Sequence, residues 1–142
     1  MSVTTLSWVN VFARDLEALP AFYMAVFGWA EIVEVRNNVF RGLATGRTAL
    51  GFMSKEVYGI LHLGGHEQDT GIKVLLNFDV PSAEDVDRLA PVAIAHGATL
   101  VKSAAMTSYG WYQATLLDPE GNVFRINTVV GGFSLEKKSA PQ

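Results

Sequence analysis

A chain of 142 residues with 49% hydrophobic content and a formal net charge of −3 can bury a real core, in one compact unit or two small modules. The acidic balance supplies no basic field for nucleic acid or an anionic membrane, and no run of about 18 apolar residues exists to span a bilayer. With no cysteine, disulfides, thiolate nucleophiles and cysteine-based zinc sites are excluded. The opening Met1-Ser2-Val3-Thr4-Thr5 lacks the charged and apolar regions of a signal peptide, so a cytoplasmic location is expected.

Ser7 to Ala13 alternates as a strand, with Trp8, Asn10 and Phe12 on one face and Val9, Val11 and Ala13 on the other. A helix follows: Asp15 is an N-cap residue type, Leu19, Phe22, Tyr23 and Val26 fall at helical spacing, and Gly28 suits the C′ position. Pro20 is tolerated only near the first turn, so the regular helix is expected to begin after Asp15. Helical periodicity places Leu19, Phe22, Tyr23 and Phe27 in the core. Three strands are predicted next, Glu31 to Val35, Val39 to Ala44 and Thr48 to Met53, with Thr45-Gly46-Arg47 as a tight turn.

Ser54 to Thr70 is a long connection whose aromatic and apolar content is unlike a free linker. The order of the first half then returns. Ile72 to Val80 reads as a strand, and Ser82 with Asp85 resembles a capping box opening a helix. Val86, Leu89, Ala90, Ala93 and Ile94 form that helix's apolar stripe, Pro91 is expected to kink it, and Gly97 ends it. Thr99 to Lys102 is a further strand. From Gly131 onward Gly, Ser, Lys and Pro dominate, and residues 131–142 are expected to form a flexible tail.

Trp111 to Asn127 specifies a hairpin and the use of both its faces. Asp118-Pro119 and Gly121-Asn122 are strong turn chemistry. If Leu117 pairs with Val123, then Thr115 faces Arg125 and Gln113 faces Asn127. One face is then polar (Gln113, Thr115, Arg125, Asn127) and the other apolar (Ala114, Leu116, Phe124, Ile126), as in a half-buried antiparallel pair. Four polar side chains on one sheet face point to a lined cavity.

The paired units, the segment Ala13-Arg14-Asp15-Leu16 with Phe22-Tyr23 and Phe27-Gly28-Trp29, and the ending Leu117-Asp118-Pro119-Glu120-Gly121-Asn122 resemble the vicinal oxygen chelate superfamily, the glyoxalase/bleomycin-resistance/extradiol dioxygenase fold. The resemblance implies an α+β protein: two βαβββ modules forming a cup-shaped mixed sheet with helices outside, often as a homodimer. On this basis residues 6–130 form a single domain, with module one at 6–53, the connection at 54–70 and module two at 71–130.

Metalloenzymes of this family carry His or Glu on the cup-facing strands. Here the matching positions hold Trp8, about Leu75 and Arg125, while the corresponding region of module one offers Leu50 and Gly51. Tryptophan and leucine donate no lone pair to a divalent metal and arginine repels one, so no metal and no other cofactor is expected. His62 and His66 have the i, i+4 spacing of a helical metal pair, with Glu67 or Asp69 to complete a set, but Gly64 and Gly65 disfavour a helix there; loop-packing histidines are the competing reading. His96 is explained by the end of the second helix.

The expected cup brings Trp8, Asn10 and Phe12 together with Asn77, Gln113, Thr115, Arg125 and Asn127, and sets Tyr109, Trp111 and Tyr112 at the hairpin entrance. Rings supply contact area, amides fix orientation and Arg125 offers a planar donor fork, which suits a small aromatic or carbonyl compound. Trp8 and Phe12 as core filling, and Arg125 paired with an acidic side chain, remain the structural alternatives. The functional alternatives are a small-molecule binding protein, and a lyase, isomerase or dioxygenase-type enzyme that is cofactor-independent or has displaced metal ligands.

Overall fold

A computed structural model describes residues 4–135. The chain divides after Gly71 into two compact units, each with its own four-stranded mixed sheet. In each unit the sheet is βαβββ in chain order, so the protein is α+β.

The first unit contains β1 (Trp8–Phe12), α1 (Ala18–Phe27), β2 (Ala30–Glu31), β3 (Phe40–Ala44) and β4 (Ala49–Met53), with the sheet order β1-β4-β3-β2. β1 runs parallel to β4, and β3 is antiparallel to both β4 and β2. Helix α1 begins later than Asp15, as Pro20 requires, yet Asp15 still serves its N-terminus: one carboxylate oxygen accepts the Glu17 and Ala18 N–H groups at 3.0 and 2.8 Å. Gly28 closes it in the left-handed conformation. Leu19, Phe22, Tyr23 and Val26 are buried with Leu43, Leu50 and Phe52 of the sheet, and the Tyr23 and Phe52 rings lie 5.7 Å apart. Fully burying each such side chain contributes about 1.5–3 kcal/mol, which is what holds the helix to the sheet.

The predicted strand from Glu31 to Val35 pairs only over Ala30–Glu31, and Val33–Val35 winds into a 3₁₀ turn. An ion cluster accompanies that turn. Arg36 grips both Glu31 oxygens at 2.9 and 2.8 Å and reaches Glu17 at 3.2 Å, while Arg41 also pairs with Glu17. The connection carries a short helix, α2 (Glu56–Ile60), and a 3₁₀ turn at Gly64–His66.

The second unit contains β5 (Leu75–Asp79), α3 (Ala83–Ala95), β6 (Thr99–Met106), β7 (Trp111–Leu117) and β8 (Val123–Val129), in sheet order β5-β8-β7-β6. β5 is shorter than the predicted Ile72 to Val80, and Ile72 and Val74 are exposed outside it. Ser82 caps α3: its hydroxyl accepts the Asp85 N–H at 3.3 Å and donates to the Asp85 carboxylate at 2.8 Å. The helix continues past Pro91, which is exposed, to Ala95. Its buried stripe is Val86, Leu89, Ala90 and Ala93; Ile94, predicted to belong to it, is exposed, because it lies about 80° round the helix from Val86.

β7 and β8 pair in the predicted register, with Leu117 opposite Val123, Thr115 opposite Arg125 and Gln113 opposite Asn127. Ala114, Leu116, Phe124 and Ile126 are fully buried on the side that α3 covers. The buried Asp118 carboxylate organises the turn, accepting the Glu120 and Asn122 N–H groups and the Asn122 amide at 2.8–3.0 Å. Gly131 and Phe133, at the start of the expected tail, are hydrogen-bonded to Gly110 and Trp111; residues 136–142 lie outside the described residues. No described helix is long and apolar enough to cross a membrane.

Candidate functional site on the second sheet

Residues paired across adjacent strands project to the same side, so the registers sort each sheet face into transverse rows. On the second sheet's face away from α3, one row is Leu75, Val123, Leu117 and Thr99. The next is Asn77, Arg125, Thr115 and Lys102, and the third is Asp79, Asn127, Gln113 and Ala105. One apolar row thus borders two polar ones.

A connected set of hydrogen bonds spans the polar rows. Asp79 Oδ1 accepts from the amides of Asn77 and Asn127, each at 2.9 Å. This turns the two amide oxygens away from Asp79: that of Asn77 accepts from Arg125 Nε at 3.0 Å, and that of Asn127 is buried with no partner among the described residues. The Tyr109 hydroxyl accepts from Gln113 Nε2 at 2.9 Å and from Arg125 Nη1 at 3.5 Å. The Gln113 amide oxygen is likewise buried without a partner. A buried acceptor left unsatisfied costs about 1–3 kcal/mol, a cost that falls twice on this face.

Arg125 forms no ion pair among the described residues; its bonds go to a neutral amide and a phenol, and it meets the Asp79 charge only through Asn77. Beside the network lies a recess of about 300 Å³ whose walls include Lys102, Tyr109, Gln113 and Thr115. Its Tyr109 wall is fixed by backbone contacts. The Gly110 carbonyl accepts the N–H groups of Val130 and Gly131 at 2.9 and 2.8 Å, and a Cβ on Gly110, at φ +87°, would lie 2.8 Å from the Gly131 carbonyl oxygen. The Trp111 indole N–H donates to the Phe133 carbonyl at 3.0 Å, so Trp111 offers this site a ring edge-on to Tyr109 at 5.4 Å and no donor.

The predicted residues Trp8, Asn10 and Phe12 stand in the first unit, on the sheet face opposite α1. Their rows are Trp8, Ala49 and Ala44; Asn10, Gly51 and Gly42; and Phe12, Met53 and Phe40. The two glycines leave a backbone floor that side chains cross. A Cβ on Gly42 would lie 2.8 Å from the Trp8 ring, and one on Gly51 would overlap the Asn10 amide oxygen. Trp8 packs edge-on to Phe40 at 5.6 Å, and Phe12 stacks on Tyr58 of α2 at 3.7 Å and 13°. Both rings have partners inside their own unit, which gives weight to the core-filling alternative for them.

Asn77, Gln113, Thr115, Arg125 and Asn127 share the second sheet's face away from α3, where Asn77 is exposed, Gln113, Thr115 and Arg125 are half-buried and Asn127 is fully buried. Tyr112, expected at the hairpin entrance, is instead on the α3 side, where its hydroxyl donates to Asp87 at 2.6 Å; that carboxylate, aided by desolvation, raises the phenol's pKa. Sequence reasoning left out Asp79, although it follows Asn77 by two and shares its face by strand alternation. It also left out Lys102, whose orientation depends on irregular pairing in β6. His62 and His66 do not share a helix: His62 has φ +62°, and His66 Nδ1 instead contacts Asp69 at 3.1 Å.

The residues present do not fit the divalent metal of the related metalloenzymes. Among the described residues no three His, Asp or Glu side chains gather in a group able to hold an ion, and the strand positions at issue are Trp8, Leu75 and Arg125.

A glyoxalase-like domain model matches residues 8–127. The chain is 55% identical to a glyoxalase/bleomycin resistance protein/dioxygenase family enzyme from Burkholderia phytofirmans PsJN, covering 89% of this chain and 99% of that one with a TM-score of 0.87. A glyoxalase-related enzyme from Fulvimarina pelagi shares the fold at 21% identity and a TM-score of 0.76, covering 89% and 88% of the two chains. No curated protein matches the chain. The match over residues 8–127, with a βαβββ sheet in each unit, places this protein in the glyoxalase-like domain family of the vicinal oxygen chelate superfamily.

Proposed function

We propose that this protein binds a small aromatic or carbonyl compound bearing an acidic oxygen on the open face of the second sheet, and that it does so without a metal. The observation that supports this most is Arg125: a guanidinium whose hydrogen bonds among the described residues go to a neutral amide and a phenol, those of Asn77 and Tyr109, with no carboxylate paired to it. A planar cation with donors to spare is suited to a carboxylate or phenolate. Leu75, Val123 and Leu117 in the next row provide apolar contact for a ring.

The test is a fluorescence or calorimetric titration with 2-naphthoate and 2-naphthamide, a pair matched in shape and differing in charge. Arg125→Met is expected to leave the fold intact and weaken naphthoate binding by about 1.5–3 kcal/mol, the range of a charge-assisted hydrogen bond, with little change for the amide. Equal losses would assign Arg125 to packing, and an unfolded variant would assign it to structure.

The second reading, an enzyme of lyase, isomerase or dioxygenase type, is favoured by the description of the Burkholderia protein as a family enzyme. Metal analysis of protein purified without chelator or affinity tag separates the two: near-stoichiometric Zn, Fe, Mn or Ni would favour the enzyme. A homodimer and a cytoplasmic location belong to the same proposal. Exposed Val101 and Met106 on edge strand β6 are compatible with the dimer, which light scattering tests.

A further inference from the structure

The pairing of β6 with β7 is irregular at two places, and the first changes what the sheet face presents. Leu100 pairs with Leu116, so regular continuation would seat Val101 opposite Thr115; the register shifts and Lys102 takes that position. A second shift seats Ala105 opposite Gln113, where continuation from Lys102 would have put Ala104. Bulges re-aim side chains, and here the first brings a cation into the row of Thr115, Arg125 and Asn77. Lys102 and Arg125 stand on either side of Thr115, two strand spacings or about 10 Å apart at the backbone, within reach of two long side chains folding over Thr115.

The recess lies against this arrangement. Lys102, Tyr109, Gln113 and Thr115 line it together with the loop residues Thr107 and Ser108, and neither Asp nor Glu does. Lys102 has no ion pair among the described residues. The Tyr109 hydroxyl already accepts from Gln113 and Arg125, so its own proton is available to an acceptor in the recess.

We infer that the bulged β6 builds an anion subsite over Thr115 that takes the carboxylate of an organic acid between Lys102 and Arg125, with the Tyr109 hydroxyl as a further donor. The inference rests on the binding reading above and adds the acid's position and a second cation. A carboxylate fits better than a phosphate: the Arg125 fork matches two coplanar oxygens, and no helix N-terminus lines the recess to supply the backbone donors typical of phosphate sites.

The test titrates wild type, Lys102→Gln, Lys102→Arg, Tyr109→Phe and Arg125→Met with 2-naphthoate and 2-naphthamide, with inorganic phosphate as competitor. Lys102→Gln is expected to weaken naphthoate about tenfold, the size of one charge-assisted hydrogen bond, and to leave naphthamide within about twofold. Lys102→Arg should restore most of the loss, Tyr109→Phe should weaken naphthoate by a smaller factor, and phosphate should not displace it. Naphthoate binding that falls in Arg125→Met but not in Lys102→Gln would overturn the subsite and leave the binding reading standing. A wild type that binds neither probe would overturn both. Displacement by phosphate would overturn the carboxylate assignment, and a Lys102→Gln protein that fails to fold would make Lys102 a structural residue.

Discussion

In the first unit the middle row of the open sheet face is Asn10, Gly51 and Gly42; in the second the equivalent row is Asn77, Arg125 and Thr115, extended by Lys102. The neighbouring row is Phe12, Met53 and Phe40 in one and Asp79, Asn127 and Gln113 in the other. One ladder, used twice, thus supports two surfaces. Where glycines empty the middle row, Trp8 and Phe40 close over the backbone and contacts are satisfied locally. Where Arg125 fills it, an amide network fixes the guanidinium and leaves acceptors unspent. The position in the fold does not decide which surface recognises a ligand; the side chains on that position do.

The comparison predicts opposite responses at equivalent sites. Gly42→Val should cost about 1–3 kcal/mol in urea unfolding, because its Cβ meets the Trp8 ring and Val35 in a packed layer. Thr115→Val, at the matching position of the second sheet, should stay within about 0.5 kcal/mol. Similar losses at both would mean that the second face is packed as tightly as the first.

Asn127→Leu sharpens the contrast. It replaces a buried, unpartnered amide oxygen with a methyl on a side chain of the same branching and somewhat larger volume, so stability should be unchanged or rise by up to about 1 kcal/mol while naphthoate binding weakens. A clear drop in stability would show that the Asn127 bond to Asp79 holds the fold, and that its free oxygen is incidental to ligands.

The smallest effect concerns the first unit's ion cluster. The Arg41 hydrogen bond, more than the charges of Arg41 and Arg36, holds the Glu17 carboxyl below its ordinary 4.5. The unfolded chain therefore binds this proton first as the pH falls. The contribution of Glu17 is present in full above about pH 4.5 and is lost as the pH drops through the lowered folded value. Glu17→Gln should lower stability slightly at neutral pH and make the acid decline shallower by the same small amount; an unaltered profile would remove Glu17 as a source of that decline.

The β7–β8 hairpin was legible in the sequence because turn chemistry and alternation there specify the same register, and the position of Arg125 follows from it. Asp79 was equally available from alternation with Asn77. Lys102 was not: a bulge breaks the two-residue period without leaving a Gly or Pro to mark it, so Lys102 takes the position opposite Thr115 that alternation would give Val101. The turn at Val33–Val35 was hidden for another reason, since Arg36, Glu31 and Glu17 meet only once helix and sheet have come together. The partners of Trp8 and Phe12 were hidden likewise: Tyr58 comes from the connection, and Gly42 and Gly51 act by lacking side chains.

The central claim, that the open face of the second sheet recognises an acidic aromatic through Arg125, is tested most directly by NMR on protein labelled for side-chain nitrogen, titrated with 2-naphthoate and then 2-naphthamide. The account predicts saturable shifts of Arg125 Nε–H and of the Asn77, Gln113 and Asn127 amides with naphthoate, with the Arg125 response much reduced for the amide. Naphthoate binding that leaves these four resonances unmoved would contradict it.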